Sequence, residues 1–266
     1  MRTFRPHPDV TVFNDQLEVP GIGHLPINAY VLHAEQPVVV DTGLGLDDRD
    51  FVRTLGEAID PADVRWIWLT HPDRDHTGGI FALLEAAPNA RIVTTFAGVG
   101  IMSTESPLPM DRVYLLNPGQ TLDVGDRTLT GFRPPLFDNP ATVGFFESKS
   151  GIFFSSDCFG APMGSADLAS ADSIGELSDD ELAGRQLLWT SIDSPWVQAV
   201  DPTIFASWLQ PVRDFDPSWI FSTHLPPASG DKTRIYDNAL AAVGCSPFVG
   251  PDQAALEAML ASFEPV

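Results

Sequence analysis

Cysteine, positive charge and long apolar runs are all scarce in this 266-residue chain, and each shortage narrows what it can do. Its two cysteines, Cys158 and Cys245, are too few for a disulfide framework and lack the spacing of a thiolate zinc site, so a reducing compartment is expected. Only 15 lysines and arginines face 36 aspartates and glutamates, a formal charge of -21 that repels phosphate backbones and anionic membrane surfaces. Nucleic-acid and membrane partners are therefore not expected. The acidic residues are spread without long single-sign runs, which reads as a solvated surface rather than a dedicated cation-binding face. No stretch reaches the roughly 18 apolar residues of a membrane span. The opening MRTFRPHPDV has no apolar core of the length a secretory signal needs. A cytoplasmic protein is the expectation.

Hydrophobic residues make up 44% of the chain, enough for one large core. Short β-like runs crowd the first half: VTVFND (10–15), INAYVLHA (27–34), QPVVVD (36–41), VRWIWLT (64–70) and ARIVTT (90–95). Between them, LDDRDFVRTLGEAID (46–60) sets Phe51, Val52, Leu55 and Ala58 on one helical face, and GGIFALLEAAP (78–88) predicts a helix just after two glycines. The second half predicts strands near 111–116, 121–133, 142–148 and 151–155, then helices near 178–189, 201–214, 231–243 and 251–262. Such alternation indicates an α/β or α+β layered domain, taken as one domain over residues 1–266. The Ser/Ala/Asp-rich stretch 160–181 reads as a long excursion from the core.

The densest chemistry lies in LTHPDRDHTGG (69–79), where His71, Asp73, Asp75 and His76 fall within six residues. The strand before it is apolar enough to be buried, and ligands bind beyond the carboxyl ends of strands in open α/β sheets. His71 and Asp73 can face one position while Asp75 and His76 face a second, so one loop can serve two ions about 3.5 Å apart. Gly78 and Gly79 then suit a sharp turn into the next helix. A solvated polar turn is the competing explanation, and four ligand-type side chains after a buried strand argue against it.

HPDRDH resembles the His-x-His-x-Asp-His signature of the metallo-β-lactamase fold, and VVVDTG (38–43) resembles that family's Asp-Thr-Gly element. The second histidine of the signature is Asp73 here, and the flavodiiron branch of the family has a carboxylate at this position, normally glutamate. GIFFSSDCFG (151–160) is similar to the flavodiiron segment with the bridging aspartate, which would be Asp157, and FSTHLPP (221–227) to the last histidine ligand, which would be His224. The resemblance spans about residues 10 to 228. It implies a four-layer αββα sandwich with an insertion at about 158–200, followed by a helical C-terminal extension at about 229–266. Residues 77 to 156 contain no histidine, and Asp138 in PPLFDNP resembles the remaining ligand position. Asp138 could equally shape a turn.

The implied ligands are His71, Asp73, Asp75, His76, Asp138, Asp157 and His224, holding two metal ions. Asp41 would orient a ligand histidine, with simple turn formation as the alternative, and His24 either lies at the mouth of the site or is an ordinary surface histidine. Trp189 and Trp196 either wall the pocket or belong to the core, Cys158 packs, and His7 and His33 look incidental. Oxygen-rich ligation favours iron, with manganese or zinc as alternatives. The resemblance implies a homodimeric non-haem diiron protein that binds or reduces dioxygen or nitric oxide, with an external reductase and no flavin in this chain. The alternative is a metal-dependent hydrolase of an ester, thioester or phosphodiester, a small-molecule substrate, with Asp75 or Asp157 accepting a proton. A metal-free binding module is the third reading.

Overall fold

The computed structural model describes residues 1–46, 48–230 and 232–262. Asp47, Asp231 and residues 263–266, which fall in the predicted helical stretches or the C-terminal extension, lie outside the described residues. The first sheet has seven strands in chain order: Arg2–His7 (β1), Val10–Val19 (β2), Gly23–Leu32 (β3), Val38–Val40 (β4), Trp66–Trp68 (β5), Arg91–Thr94 (β6) and Val113–Leu115 (β7). β1 to β4 pair antiparallel, and β4 to β7 run parallel. The second sheet holds Thr121–Asp123 (β8), Thr128–Phe132 (β9), Gly144–Glu147 (β10), Ile152–Phe154 (β11), Trp219–Phe221 (β12) and Ala228–Ser229 (β13), again in unbroken order. Only β11 and β12 are parallel in it.

The central strands read as continuous apolar runs because both of their faces are covered. Val38, Val40 and Trp68 point between the sheets toward Phe145, Ile152 and Phe154. Val39 and Ile67 point outward, to a layer containing Phe51, Leu55 and Leu83. On the far side, Phe153 and Ile220 meet Leu182, Phe205, Leu209 and Ile235. Helix, sheet, sheet and helix thus stack in four layers, the αββα arrangement the resemblance implies. The first helical layer holds Phe51–Leu55 (α1), the short Arg74–Thr77 (α2), Ile80–Ala86 (α3) and Phe96–Met102 (α4). Ala166–Ala169 (α5), Asp179–Asp193 (α6), Pro202–Phe215 (α7) and Thr233–Ala241 (α8) precede Gln253–Ser262 (α9). Ile235, Tyr236 and Ala239 belong to the outer core, so the start of the C-terminal extension is part of that layer.

Several boundaries differ from the expected ones for identifiable reasons. The helix expected over 46–60 is confined to α1, because Asp50 caps it by accepting from the Arg53 amide at 3.0 Å and Gly56 closes it. The stretch 121–133 is a hairpin rather than one strand: Gly125 turns at φ 98°, a conformation that favours glycine, and Asp123 accepts its amide at 2.8 Å. β1 is half polar, contains Pro6 and pairs on one side only, which conceals it in the sequence. The 160–181 excursion contains α5 and a 3-10 turn at Ile174–Glu176.

Candidate metal centre

Four strand ends bring the chemistry to one edge of the sandwich. β4 ends at Asp41, β5 leads to His71, β11 to Asp157 and β12 to His224, while Asp138 comes from the loop between β9 and β10. Backbone pairing fixes these turns. Thr42 and Gly43 exchange hydrogen bonds with His76, Gly78 and Gly79. The Asn28 amide donates to the Thr223 carbonyl at 2.9 Å, and the Tyr30 hydroxyl to the Ser222 carbonyl at 2.5 Å, tying the His224 turn to β3. The two glycines serve close approach rather than a special turn. Gly78 has ordinary helical angles, and a Cβ there would lie 2.1 Å from the Gly45 nitrogen.

Each imidazole is held by its Nδ1 so that Nε2 faces inward. His76 Nδ1 lies 2.8 Å from Asp41 Oδ2, His224 Nδ1 donates to the Pro26 carbonyl at 2.8 Å, and His71 Nδ1 lies 3.2 Å from the Ser156 hydroxyl. Asp41, at φ 56°, also accepts from the Thr70 amide and hydroxyl at 2.8 and 2.7 Å. Such partners fix the tautomer and aim of a ligand histidine.

The carboxylates close around these nitrogens in two groups. His71 Nε2 lies 3.4 Å from Asp157 Oδ2 and 3.8 Å from both Asp73 Oδ2 and Asp138 Oδ1. His76 Nε2 lies 3.1 Å from Asp157 Oδ1 and 3.6 Å from Asp75 Oδ2, while His224 Nε2 lies 3.3 and 3.4 Å from the same two oxygens. Donors about 2.1 Å from a common ion sit roughly 3.0 to 3.4 Å apart, so the second group is close to metal-binding spacing, the first is wider at Asp73 and Asp138, and Asp157 offers one oxygen to each. His71 Nε2, His76 Nε2 and Asp157 Oδ1 are buried without a hydrogen-bond partner, the condition a missing cation would relieve.

The electrostatics point the same way. Burial works against ionising Asp157, yet His76, His71 and His224 outweigh it and hold the carboxyl well below the usual carboxylate range. Burial also disfavours charge on His224 and His76, but Asp157 and Asp75 reverse this, pushing His224 up to about 9 and His76 well above its ordinary value. Asp138 is pushed up to about 6, first by burial and then by Asp157 and Asp73 against the pull of His71. Protons here do what a cation between the same groups would do.

All seven residues of the expected ligand set are in this cluster, and Asp41 touches it through His76. Asp138 turns its side chain inward at 26% exposure, because the turn-forming role falls to its neighbour. Asn139 accepts from the Ala141 amide at 2.9 Å and donates to Asp73 Oδ1 at 3.0 Å. His24 sits at the start of β3, two residues before the Pro26 carbonyl that holds His224, and is bridged backbone to backbone with Met163. The Trp189 ring packs 4.7 Å from that of His224 and its Nε1 donates to the Asp157 carbonyl at 3.3 Å, so it walls the site. Trp196 reaches it only through Phe137. Cys158 packs in the outer core, where burial pushes its thiol well up. His7 packs edge-on to Trp219, and His33 bonds Thr11.

Three contributors were not expected: Thr70, Ser156 and Asp193. Gln186, Trp189 and Asp193 recur at helical spacing on one face of α6, but nothing in the sequence sets that face against the cluster.

Residues 22–149 match the model of the metallo-beta-lactamase superfamily. That stretch, just under half of the chain, is similar to a metallo-beta-lactamase domain. Among curated proteins, anaerobic nitric oxide reductase flavorubredoxin from Salmonella typhi is 28% identical over 134 residues, 50% of this chain and 28% of that protein. The flavorubredoxin of Pectobacterium atrosepticum is 26% identical over the same length. The match thus spans well under a third of each relative. Among solved structures, rubredoxin oxygen:oxidoreductase from Desulfovibrio gigas superposes with a TM-score of 0.76 at 18% identity, covering 91% of this chain and 61% of that one. The flavodiiron protein from Giardia intestinalis gives 0.75 at 16%, over 91% and 59%. At these identities the superpositions establish the metallo-beta-lactamase fold. Among the described residues no helix is long and apolar enough to cross a membrane.

Proposed function

We propose that this chain is a non-haem diiron protein that binds or reduces dioxygen, or nitric oxide, with electrons from an external donor. The observation that supports this reading is the donor set: His71, His76 and His224 with Asp73, Asp75, Asp138 and Asp157, arranged as two groups that share Asp157. Four carboxylates balance the charge of two divalent ions, and such a site bears the added charge of the ferric state better than an imidazole-rich one. Iron held by these residues would pass on the external donor's electrons and supply the redox chemistry. The protein's own part is orientation and exclusion. Asp41, Ser156 and the Pro26 carbonyl aim the imidazoles, Asn139 steadies Asp73, and Trp189 covers His224. The relatives named as nitric oxide reductases and as an oxygen oxidoreductase support the same class of substrate. No flavin is assigned to these residues, and a homodimer is the proposed assembly.

One observation favours hydrolysis as a second reading. A cavity of about 420 Å³ lined by Leu17, Leu25, Ile27, Leu44 and Leu46 opens beside Asp75, roomier than a diatomic ligand requires. Asp75 would then accept the proton, since three imidazoles make Asp157 a weak base.

The test is to load the protein with iron, reduce it anaerobically and admit a stoichiometric amount of oxygen. The expected result is oxygen uptake with a new visible absorption, without flavin, lost in His71→Ala, Asp73→Ala and His224→Ala. Absence of uptake together with esterase or phosphodiesterase activity in the zinc or manganese form would replace the diiron reading with hydrolysis. Inertness in both assays would leave a binding module.

A further inference from the structure

Asp193, a carboxylate outside the ligand set implied by the sequence, closes on the same cluster. Oxygens of Asp138, Asp157 and Asp193 lie within 4.8 Å of one another. Its direction is set by α6, whose Gln186 donates to the Phe159 carbonyl at 2.7 Å and whose Trp189 donates to the Asp157 carbonyl. Asp193 lies one turn beyond Trp189 on that face. The Ser194 hydroxyl binds its Oδ2 at 3.0 Å. Just beyond, Trp196 donates to the Phe137 carbonyl at 2.7 Å and packs 4.9 Å from the Phe137 ring, so the segment bearing Asp193 is clamped to the loop bearing Asp138. Carboxylates crowd together elsewhere without holding anything. Here a second observation points to a ligand: His71 Nε2, in a fully buried side chain, faces Asp138 and Asp157 with no hydrogen-bond partner.

We infer that Asp193 is a ligand of the ion held by His71, Asp73 and Asp138, and that the two metal positions therefore differ in preference, the first suiting manganese and the second iron or zinc. The inference rests on the two-metal reading above. The first position offers one imidazole against the carboxylates Asp73, Asp138, Asp157 and Asp193, whereas the second offers His76 and His224 with Asp75 and Asp157. Carboxylate donors suit manganese and imidazole suits iron and zinc, so the general advantage of the later metals is narrowest at the first position.

The experiment titrates the metal-free 266-residue chain with Mn(II), following the free ion by electron paramagnetic resonance, and separately with Zn(II). The expected result is one tight and one weak manganese step, with zinc filling the second position first. Asp193→Asn is expected to weaken the tight manganese step at least about tenfold while leaving zinc uptake at the second position unchanged. His224→Ala is expected to remove the weak step and keep the tight one. The inference fails if the two manganese steps are equal, if Asp193→Asn leaves the tight step as it was, or if that variant loses zinc at the second position as well. Failure of the wild-type chain to bind either metal overturns the two-metal reading itself.

Discussion

Replacing Asp41 with asparagine should weaken zinc binding at the proposed second metal position without unfolding the protein. Asp41 receives three hydrogen bonds: from the Thr70 amide on Oδ1, and from the Thr70 hydroxyl and His76 Nδ1 on Oδ2. The Thr70 amide can only donate, so the asparagine oxygen must take that place and its NH2 must face His76. Nδ1 then has to accept, which moves the imidazole proton to Nε2, the atom that faces Asp75 and Asp157. Loss of such a partner typically costs 10- to 100-fold in metal affinity, or about 1.4 to 2.7 kcal/mol. Asparagine tolerates the left-handed backbone at φ 56° and preserves the number of hydrogen bonds, so the metal-free protein should melt within a few degrees of wild type. Asp41→Ala is the contrasting case. It strands three buried donors at roughly 1 kcal/mol or more each, a loss of about 3 kcal/mol or more. Zinc titration by calorimetry, with melting curves of both metal-free variants, separates the two effects. Unchanged zinc affinity in Asp41→Asn would refute the tautomer argument, and equal destabilisation by both variants would refute the hydrogen-bond count.

The remaining predictions concern the bridge, the least expected ligand and a charge cluster away from the site. Asp157→Ala removes an oxygen from both positions and should leave the chain with neither ion by elemental analysis, while His224→Ala should lose one and keep one. Asp138→His exchanges a carboxylate for imidazole and should shift competitive loading from iron toward zinc, with total metal content unchanged. Asp126 is held below the usual carboxylate range chiefly by its hydrogen bond from Arg127, at 2.8 Å, and further by Lys149 at 2.6 Å. A depressed folded-state pKa stabilises at pH values above the unfolded value near 4 and is lost as pH falls toward the folded one. Urea unfolding should therefore show Asp126→Asn less stable than wild type at pH 7, with the gap closing on acidification below pH 4.

Strands covered on both faces were legible because β4, β5 and β6 have to be apolar at nearly every position, and so was the loop at their ends, where polar ligand-type residues interrupt that pattern. Local signals failed where a partner distant in sequence decides the outcome. β1 is a strand because β2 offers it an edge, and β13 because β12 does. Asp138 was ambiguous as one residue of FDNP; the structure divides the work, giving Asn139 the turn and Asp138 the inward direction. Asp193 could not be recognised from its neighbours, since its meaning depends on α6 lying against Asp157 across a gap of more than thirty residues.

Both sheets are built from strands in unbroken chain order, which carries a consequence for biosynthesis. Each strand pairs with its predecessor, so a chain being translated can lay down β1 to β7, with His71 and His76 already shaped by Asp41, before β8 has been made. Asp73 and Asp75 come with them, whereas Asp138 and Asp157 arrive later, and His224 follows only after α6 and α7 have been crossed and β12 set against β11. A nascent or truncated product would therefore present two exposed histidines and part of the donor set, enough to pick up a metal loosely. The full donor set would come together only once β12 has delivered His224, making ion retention a mark of that last pairing.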